Sequence, residues 1–208
     1  KNDGIFTPNL NQIKAFKKIM YLKDVSEVDT NQMIDQIIDW IDADRRPRNF
    51  GLEDYFYTGP SNPNQQYADN RMFYSLNELK NIPSFRGESW AHLSKYLCAF
   101  PINNFAININ TLTKTDGLLF SSLFSELSLD DADYILSNYP ESGFKDLNEL
   151  YLNFQDITFG ELSGNIAFTS NIFHLKTRSK VEDFEASSSS LIYFKNRRFI
   201  FIVNRFCI

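Results

Sequence analysis

The chain has 208 residues, enough for one large domain or two small ones with a real core. Hydrophobic residues make up 43% and charged residues 23%, and 20 Phe with 10 Tyr supply large buried areas, which argues against disorder. The net charge of −5 repels nucleic-acid phosphates, and no dense Lys/Arg cluster reverses it locally, so nucleic acid is not an expected partner.

No apolar run reaches the ~20 residues that a membrane span needs, and no signal peptide is visible. A chain that starts at Lys1 reads as a trimmed or processed product. Cys98 and Cys207 are the two cysteines, and no Cys/His spacing suits zinc. They fit either two buried thiols or one disulfide.

Residues 1–10 read as extended, broken by Gly4 and Pro8. Ile13, Phe16, Ile19 and Met20 then recur at helical steps. Met33, Ile34, Ile37, Ile38 and Ile41 form the apolar face of a second helix, with Asp29 and Gln32 offering a capping box. Residues 42–72 lose periodicity and hold Pro47, Gly51, Gly59, Pro60 and Pro63, which predicts a long functional loop. Ser75 and Glu78 predict a capped short helix, and residues 89–99 another, ended by Pro101. Residues 107–111 open a third helical region with Leu112, Leu118, Leu119 and Leu123. Ser128 and Asp131 cap the next helix, which stops near Pro140, and residues 146–154 make one more.

After about residue 160 the period changes to two. Phe173, Leu175 and Thr177 alternate with Ile172, His174 and Lys176, and Leu191–Phe194 and Phe199–Val203 are strand-like, with Asn196 at the turn. Helices first and antiparallel strands last predict an α+β fold. His174 reads as a sheet residue and His92 as a lone one. Asn108 and Asn110 read first as helix caps and second as loop anchors or metal ligands. Residues 107–154 have the outline of a helix-hairpin-helix, but Ser125-Glu126-Leu127-Ser128 stands where the usual Gly-Ile-Gly would be.

The most informative stretch runs from Asp39 to Tyr57. A helix ends and delivers Asp42 and Asp44, the chain turns at Pro47 and Gly51, and it returns with Glu53 and Asp54. Four crowded carboxylates repel one another, and a hard cation is the simplest reason to tolerate them. Calcium takes six to eight oxygens at ~2.3–2.6 Å in flexible geometry. The loop is not an EF-hand, whose twelve-residue pattern is missing. A plainer reading is an acidic surface loop neutralised by Arg45, Arg46 and Arg48. A catalytic reading has two of these carboxylates hydrolysing a glycosidic bond, which requires an aromatic-lined cleft.

The same stretch carries a resemblance. Asp39-Trp40-Ile41-Asp42-Ala43-Asp44-Arg45-Arg46-Pro47, then Gly51, Glu53, Asp54, Phe56 and Tyr57, resembles the D-W-[IL]-D-x-D-x-x-P-x-x-x-G-x-E-D-x-[YF]-Y segment of the type II secretion minor pseudopilin K family. Further blocks follow in family order. Ala68, Asn70–Phe73 and Ser75–Leu79 resemble A-x-N-x-P-F-x-S-x-x-E-L, with Met72 in place of Pro. Cys98-Ala99-Phe100-Pro101 and Ile107–Thr111 resemble C-x-L-P and I-N-V-N-T. Asn9-Leu10-Asn11 resembles the N-L-N that follows the family's first strand, and Ser170–Leu175 resembles the first strand of its terminal sheet.

The resemblance implies a pilin-like antiparallel sheet (residues 1–10 and 160–208) with a large helical domain inserted at 11–159, and an N-terminal membrane helix ahead of Lys1. It implies a non-enzymatic assembly component at the tip of a periplasmic pseudopilus, held in the inner membrane by that helix. The expected partners are the minor pseudopilins I and J, with secreted exoproteins as further candidates. The expected cofactor is calcium, with Asp42, Asp44, Glu53 and Asp54 as ligands carried over by motif and Asn70 as a weaker one. If Cys98 and Cys207 meet, a periplasmic disulfide would pin the tail.

Overall fold

A computed structural model of the chain describes residues 6–62, 65–99, 105–182, 184–195 and 198–207, with backbone alone from 195 onward. It is an α+β chain of two compact units, Lys1–Ile166 and Ala167–Ile208.

The first unit is helical. Helix α1 (Leu10–Leu22) starts where the Asn9 side chain accepts from the amides of Asn11 and Gln12. Helix α2 (Glu27–Ile41) starts earlier than the sequence suggests. Its cap is Ser26, not Asp29: Ser26 Oγ accepts from the Asp29 amide at 3.1 Å and donates to the Asp29 carboxylate at 2.7 Å. A hydroxyl one turn upstream therefore takes the capping role, and Asp29 becomes the first-turn acid that suits the helix dipole. Met20, Met33, Trp40, Ile41, Tyr57, Phe73, Ile82 and Phe85 form one buried cluster, against which Phe6 also packs. Each such side chain contributes about 1.5–3 kcal/mol through burial.

A short helix, α3 (Asp54–Tyr57), interrupts the long loop. The Ser75–Glu78 capping box is present, but it opens a 3-10 helix (Leu76–Asn81) rather than an α-helix. Pro83 begins the next short turn, so the helical path cannot run on through its missing amide. Helix α4 (Glu88–Leu93) passes into another 3-10 turn at Ser94–Tyr96; Pro101 lies outside the described residues.

Residues 107–111 depart from the helical expectation. They form strand β1 (Ile107–Asn108) and a 3-10 turn (Ile109–Thr111). Asn108 caps that turn by accepting from the Asn110 amide. Asn110 is an anchor instead: its side chain donates to Phe144 O at 2.7 Å and accepts from Phe144 N at 2.9 Å.

Helices α5 (Gly117–Ser122), α6 (Leu129–Ser137, capped by Ser128) and α7 (Leu147–Asn153) bury Phe120, Ile135 and Leu150 completely. The α5–α6 turn is held from α1, where Lys18 Nζ donates to the carbonyls of Phe124 (2.6 Å) and Leu127 (2.8 Å) and more weakly to Ser125 (3.3 Å). The turn's own amides are also used internally: Ser125 N donates to Glu161 O and Glu126 N to Phe159 O. A hairpin whose amides are engaged this way has none of these two to offer a nucleic-acid phosphate.

Residues 160–166 belong to the helical unit, because Ser163 and Gly164 both donate to Leu123 O and Ile107 donates to Asn165 O. The first unit ends at Ile166, within the short strand β2 (Ile166–Ala167).

The second unit is an antiparallel meander, β3 (Ile172–Val181), β4 (Phe184–Lys195) and β5 (Arg198–Cys207), in the order β3-β4-β5. The β3–β4 register is regular from Ile172↔Tyr193 to Val181↔Phe184, and the β4–β5 ladder shifts once, between Ser189 and Leu191. His174 is exposed and bonded to Ser189 Oγ, as a sheet residue should be. Asn196 and the Cys207 side chain lie outside the described residues; Cys98 carries a free thiol. Among the described residues no helix is long and apolar enough to cross a membrane.

Candidate metal centre

The site is built where α2 ends. Asp42 is the C-cap, its amide donating to Ile38 O at 2.9 Å while its own backbone turns extended. That turn throws the next residues into the loop. Asp44 folds back on itself, its Oδ1 accepting from the Arg46 amide at 2.8 Å in an Asx-type turn. The loop returns at Glu53, the N-cap of α3, whose carbonyl accepts from Phe56 and Tyr57.

Asp42, Asp44 and Glu53 are thereby brought together, with one carboxylate oxygen from each lying within 4.8 Å of the others. Asp42 is 7% exposed and Glu53 3%. Asp42 Oδ1 and Glu53 Oε1 are buried without a hydrogen-bond partner. Burial first, then the neighbouring Asp39, Asp42, Asp44 and Asp54, pushes the Glu53 carboxyl up to about 7. Burial and then Asp44 raise Asp42 as well. Orphaned, buried carboxylate oxygens are costly, and here they belong to two of the three clustered acids.

The arginines do not resolve the crowding as a neutralised surface loop would. Arg48 pairs with Asp39, its amide donating to Oδ2 at 3.0 Å and its Nε lying 3.6 Å from Oδ1. Among the described residues no ion pair reaches Asp42, Asp44 or Glu53. Oxygens no more than 4.8 Å apart can share a centre at about 2.4 Å, the calcium–oxygen distance. The donor set is all oxygen and anionic, which suits a hard divalent cation and not a thiophilic metal. A sugar ring, by contrast, has no access to a Glu53 carboxyl buried this deeply, which disfavours the glycosidase reading.

Two candidates fall outside the three-carboxylate group. Asp54 is engaged elsewhere, since its Oδ1 accepts from the Ala68 amide at 2.9 Å and ties α3 to the far limb of the loop. Asn70 is exposed with φ +49°, its amide donating to Trp40 O and its side chain to Ala68 O. Both hold the loop in the shape that presents the other three.

Sequence reasoning gave Asp39 no role. It is 0% exposed, and it organises the loop through Arg48 and through Gly51, where an added Cβ would lie 1.7 Å from Asp39 Oδ2. The signal was present in the fixed spacing from an acid in the last helical turn to a glycine in the loop. Burial, again the leading cause, pushes Asp39 up to about 6.

These features define an α+β chain whose helical unit carries a partly buried acidic cluster and whose other unit is a small antiparallel sheet. Residues 1–102 match the first-domain family model of type II secretion system protein K, and residues 107–168 match a second model of the same protein K. The chain belongs to the type II secretion system protein K family. It is 30% identical over 150 residues to the type II secretion system protein K of Aeromonas hydrophila, covering 69% of this chain and 45% of that protein. It is 27% identical over 204 residues to the putative type II secretion system protein K of Escherichia coli K12, covering 95% and 62%. The chain thus spans between about a third and three fifths of the length of these and the other curated relatives it matches. In fold it resembles a chain of the GspK-GspI-GspJ complex from enterotoxigenic Escherichia coli, with a TM-score of 0.79 at 22% identity, over 98% of this chain and 73% of that one.

Proposed function

We propose that this chain is the extracytoplasmic part of a minor pseudopilin: a non-enzymatic component that assembles with pseudopilins I and J at the tip of a periplasmic pseudopilus and is carried by an inner-membrane helix. Family membership and the likeness to a subunit of a GspK-GspI-GspJ complex support the assembly role and the partners.

Calcium is the proposed cofactor, held by Asp42, Asp44 and Glu53. The observation that carries this is that two of the three acids whose carboxylates gather within 4.8 Å, Asp42 and Glu53, each hold a buried oxygen without a partner. The cation supplies positive charge that no arginine of the loop brings to these three carboxylates, and it fixes α2 to α3 across the loop. Binding to the folded state alone stabilises by RT ln(1 + [L]/Kd), and extracytoplasmic modules often bind at ~10⁻⁴–10⁻³ M.

The test is co-purification of the full-length protein with its I and J counterparts, in calcium and in EGTA. A ternary complex that forms in calcium and weakens on chelation supports the proposal. Failure to form a complex in either buffer removes the assembly reading, and a complex indifferent to chelation removes the role of the cation in it.

A further inference from the structure

Tyr57 ends α3, and its hydroxyl has no task in the cation site as described so far. The side chain is 0% exposed, and among the described residues its Oη has no hydrogen-bond partner. Buried tyrosine hydroxyls ordinarily find a partner, and a phenylalanine would fill the same space without burying a polar atom.

The ring is fixed in place. Trp40 meets it edge-on with centroids 4.7 Å apart, and Phe56 does so at 5.4 Å. The Tyr57 amide donates to the Glu53 carbonyl at 3.3 Å, so one helical turn separates the two residues and their side chains share a face of α3. Asp39 precedes Trp40 in the last turn of α2 and is fully buried. Its Oδ1 accepts no hydrogen bond and has Arg48 Nε 3.6 Å away. Burial, then Asp39 and further down Glu53, raise the Tyr57 hydroxyl above the ordinary phenol range, with Arg86 opposing them. One neutral O–H donor thus lies near two orphaned carboxylate oxygens, Asp39 Oδ1 and Glu53 Oε1.

A calcium shell takes about six to eight oxygens. Asp42, Asp44 and Glu53 do not supply them all, since Asp44 Oδ1 already accepts from the Arg46 amide. Water supplies part of such shells, and groups behind the ligands fix its orientation.

We infer that Tyr57 is a positioning residue of the cation site: its hydroxyl and Asp39 Oδ1 hold a water that coordinates the ion beside Glu53. The inference rests on the cation reading proposed above and extends it to a residue that acts on the ion only through that water.

Calcium itself is the probe, titrated calorimetrically into the full chain and into Tyr57→Phe, which keeps the ring and removes the hydroxyl. The variant should raise the calcium Kd about tenfold. Its melting temperature in EGTA should stay level or rise, because an unpartnered buried hydroxyl has gone. Terbium, excited directly, counts water ligands from its luminescence lifetimes in light and heavy water, and the count should fall by about one in the variant. Tyr139→Phe is the control: it removes another hydroxyl of the helical unit, bonded to Ile109 O at 2.9 Å, and should leave the Kd and the water count unchanged. An unchanged Kd or water count in Tyr57→Phe, or an equal shift in Tyr139→Phe, overturns the inference while the parent's calcium binding keeps the cation reading. So does a fall in the EGTA melting temperature that accounts for the whole loss in calcium, which would make Tyr57 a core residue only. A parent that takes up neither ion removes the cation reading itself, and the positioning role with it.

Discussion

The Asp39 carboxylate occupies the space that a side chain at Gly51 would need: a Cβ there would stand 1.7 Å from Oδ2. The last turn of α2 is thus in contact with the middle of the loop, and the contact leaves room for hydrogen alone. Through Arg48, which both pairs with Asp39 and accepts from the Gly51 amide at 3.1 Å, this one contact sets where Asp42 and Glu53 meet.

Gly51→Ala should therefore destabilise the protein by about 1–3 kcal/mol, the usual cost of overpacking a tight site. It should also shrink the calcium-induced rise in melting temperature. Thermal unfolding with and without calcium checks both, and an unchanged melt would show that the loop does not depend on this contact.

Asp42→Asn and Glu53→Gln should have opposite effects in the two buffers. In EGTA each removes a repelling buried charge, so stability should hold or rise. In calcium each removes a ligand, so the shift produced by the ion should be lost. Asp54→Asn is the contrasting variant: weakening its bond to the Ala68 amide should cost about 1 kcal/mol in both buffers, with the calcium shift retained.

Without calcium, stability should fall as pH rises. The Glu53 carboxyl sits at about 7 in the folded chain against an ordinary value of 4.5, so the folded state binds the extra proton. The stabilisation from that proton is fully present below 4.5 and is lost as pH passes through 7. The difference in urea midpoint between the parent and Glu53→Gln, followed from about pH 4.5 to 8 in EGTA, should therefore shift in favour of the variant. A flat difference would mean that Glu53 is not held neutral by its surroundings.

Lys18→Met should destabilise by about 1–3 kcal/mol, because it leaves the carbonyls of Phe124 and Leu127 without their charged donor. Urea unfolding gives the magnitude. Hydrogen exchange should locate the loss at residues 124–127 and leave the calcium shift intact.

Much of this was legible in the sequence because it rests on local periodicity. The apolar faces of α1 and α2, the Ser128 and Ser75 caps and the period-two strands all follow from side-chain spacing. The 3-10 character of residues 76–81 and the strand at 107–108 did not, since each is set by distant partners: burial of Leu79 and Ile82 in one case, Asn165 in the other. The acidic cage was legible as crowded charge. What spacing alone could not reveal was the division of labour within it. Asp54 turns to Ala68 and Asp39 to Arg48 because backbone amides there need acceptors, and only Asp42, Asp44 and Glu53 remain facing one another.

The most direct measurement is the anomalous density of a crystal grown in calcium. The account predicts a single strong peak among Asp42, Asp44 and Glu53, with their oxygens about 2.3–2.6 Å away. Absence of a peak there, with the three carboxylates turned to water in the presence of abundant calcium, would contradict it.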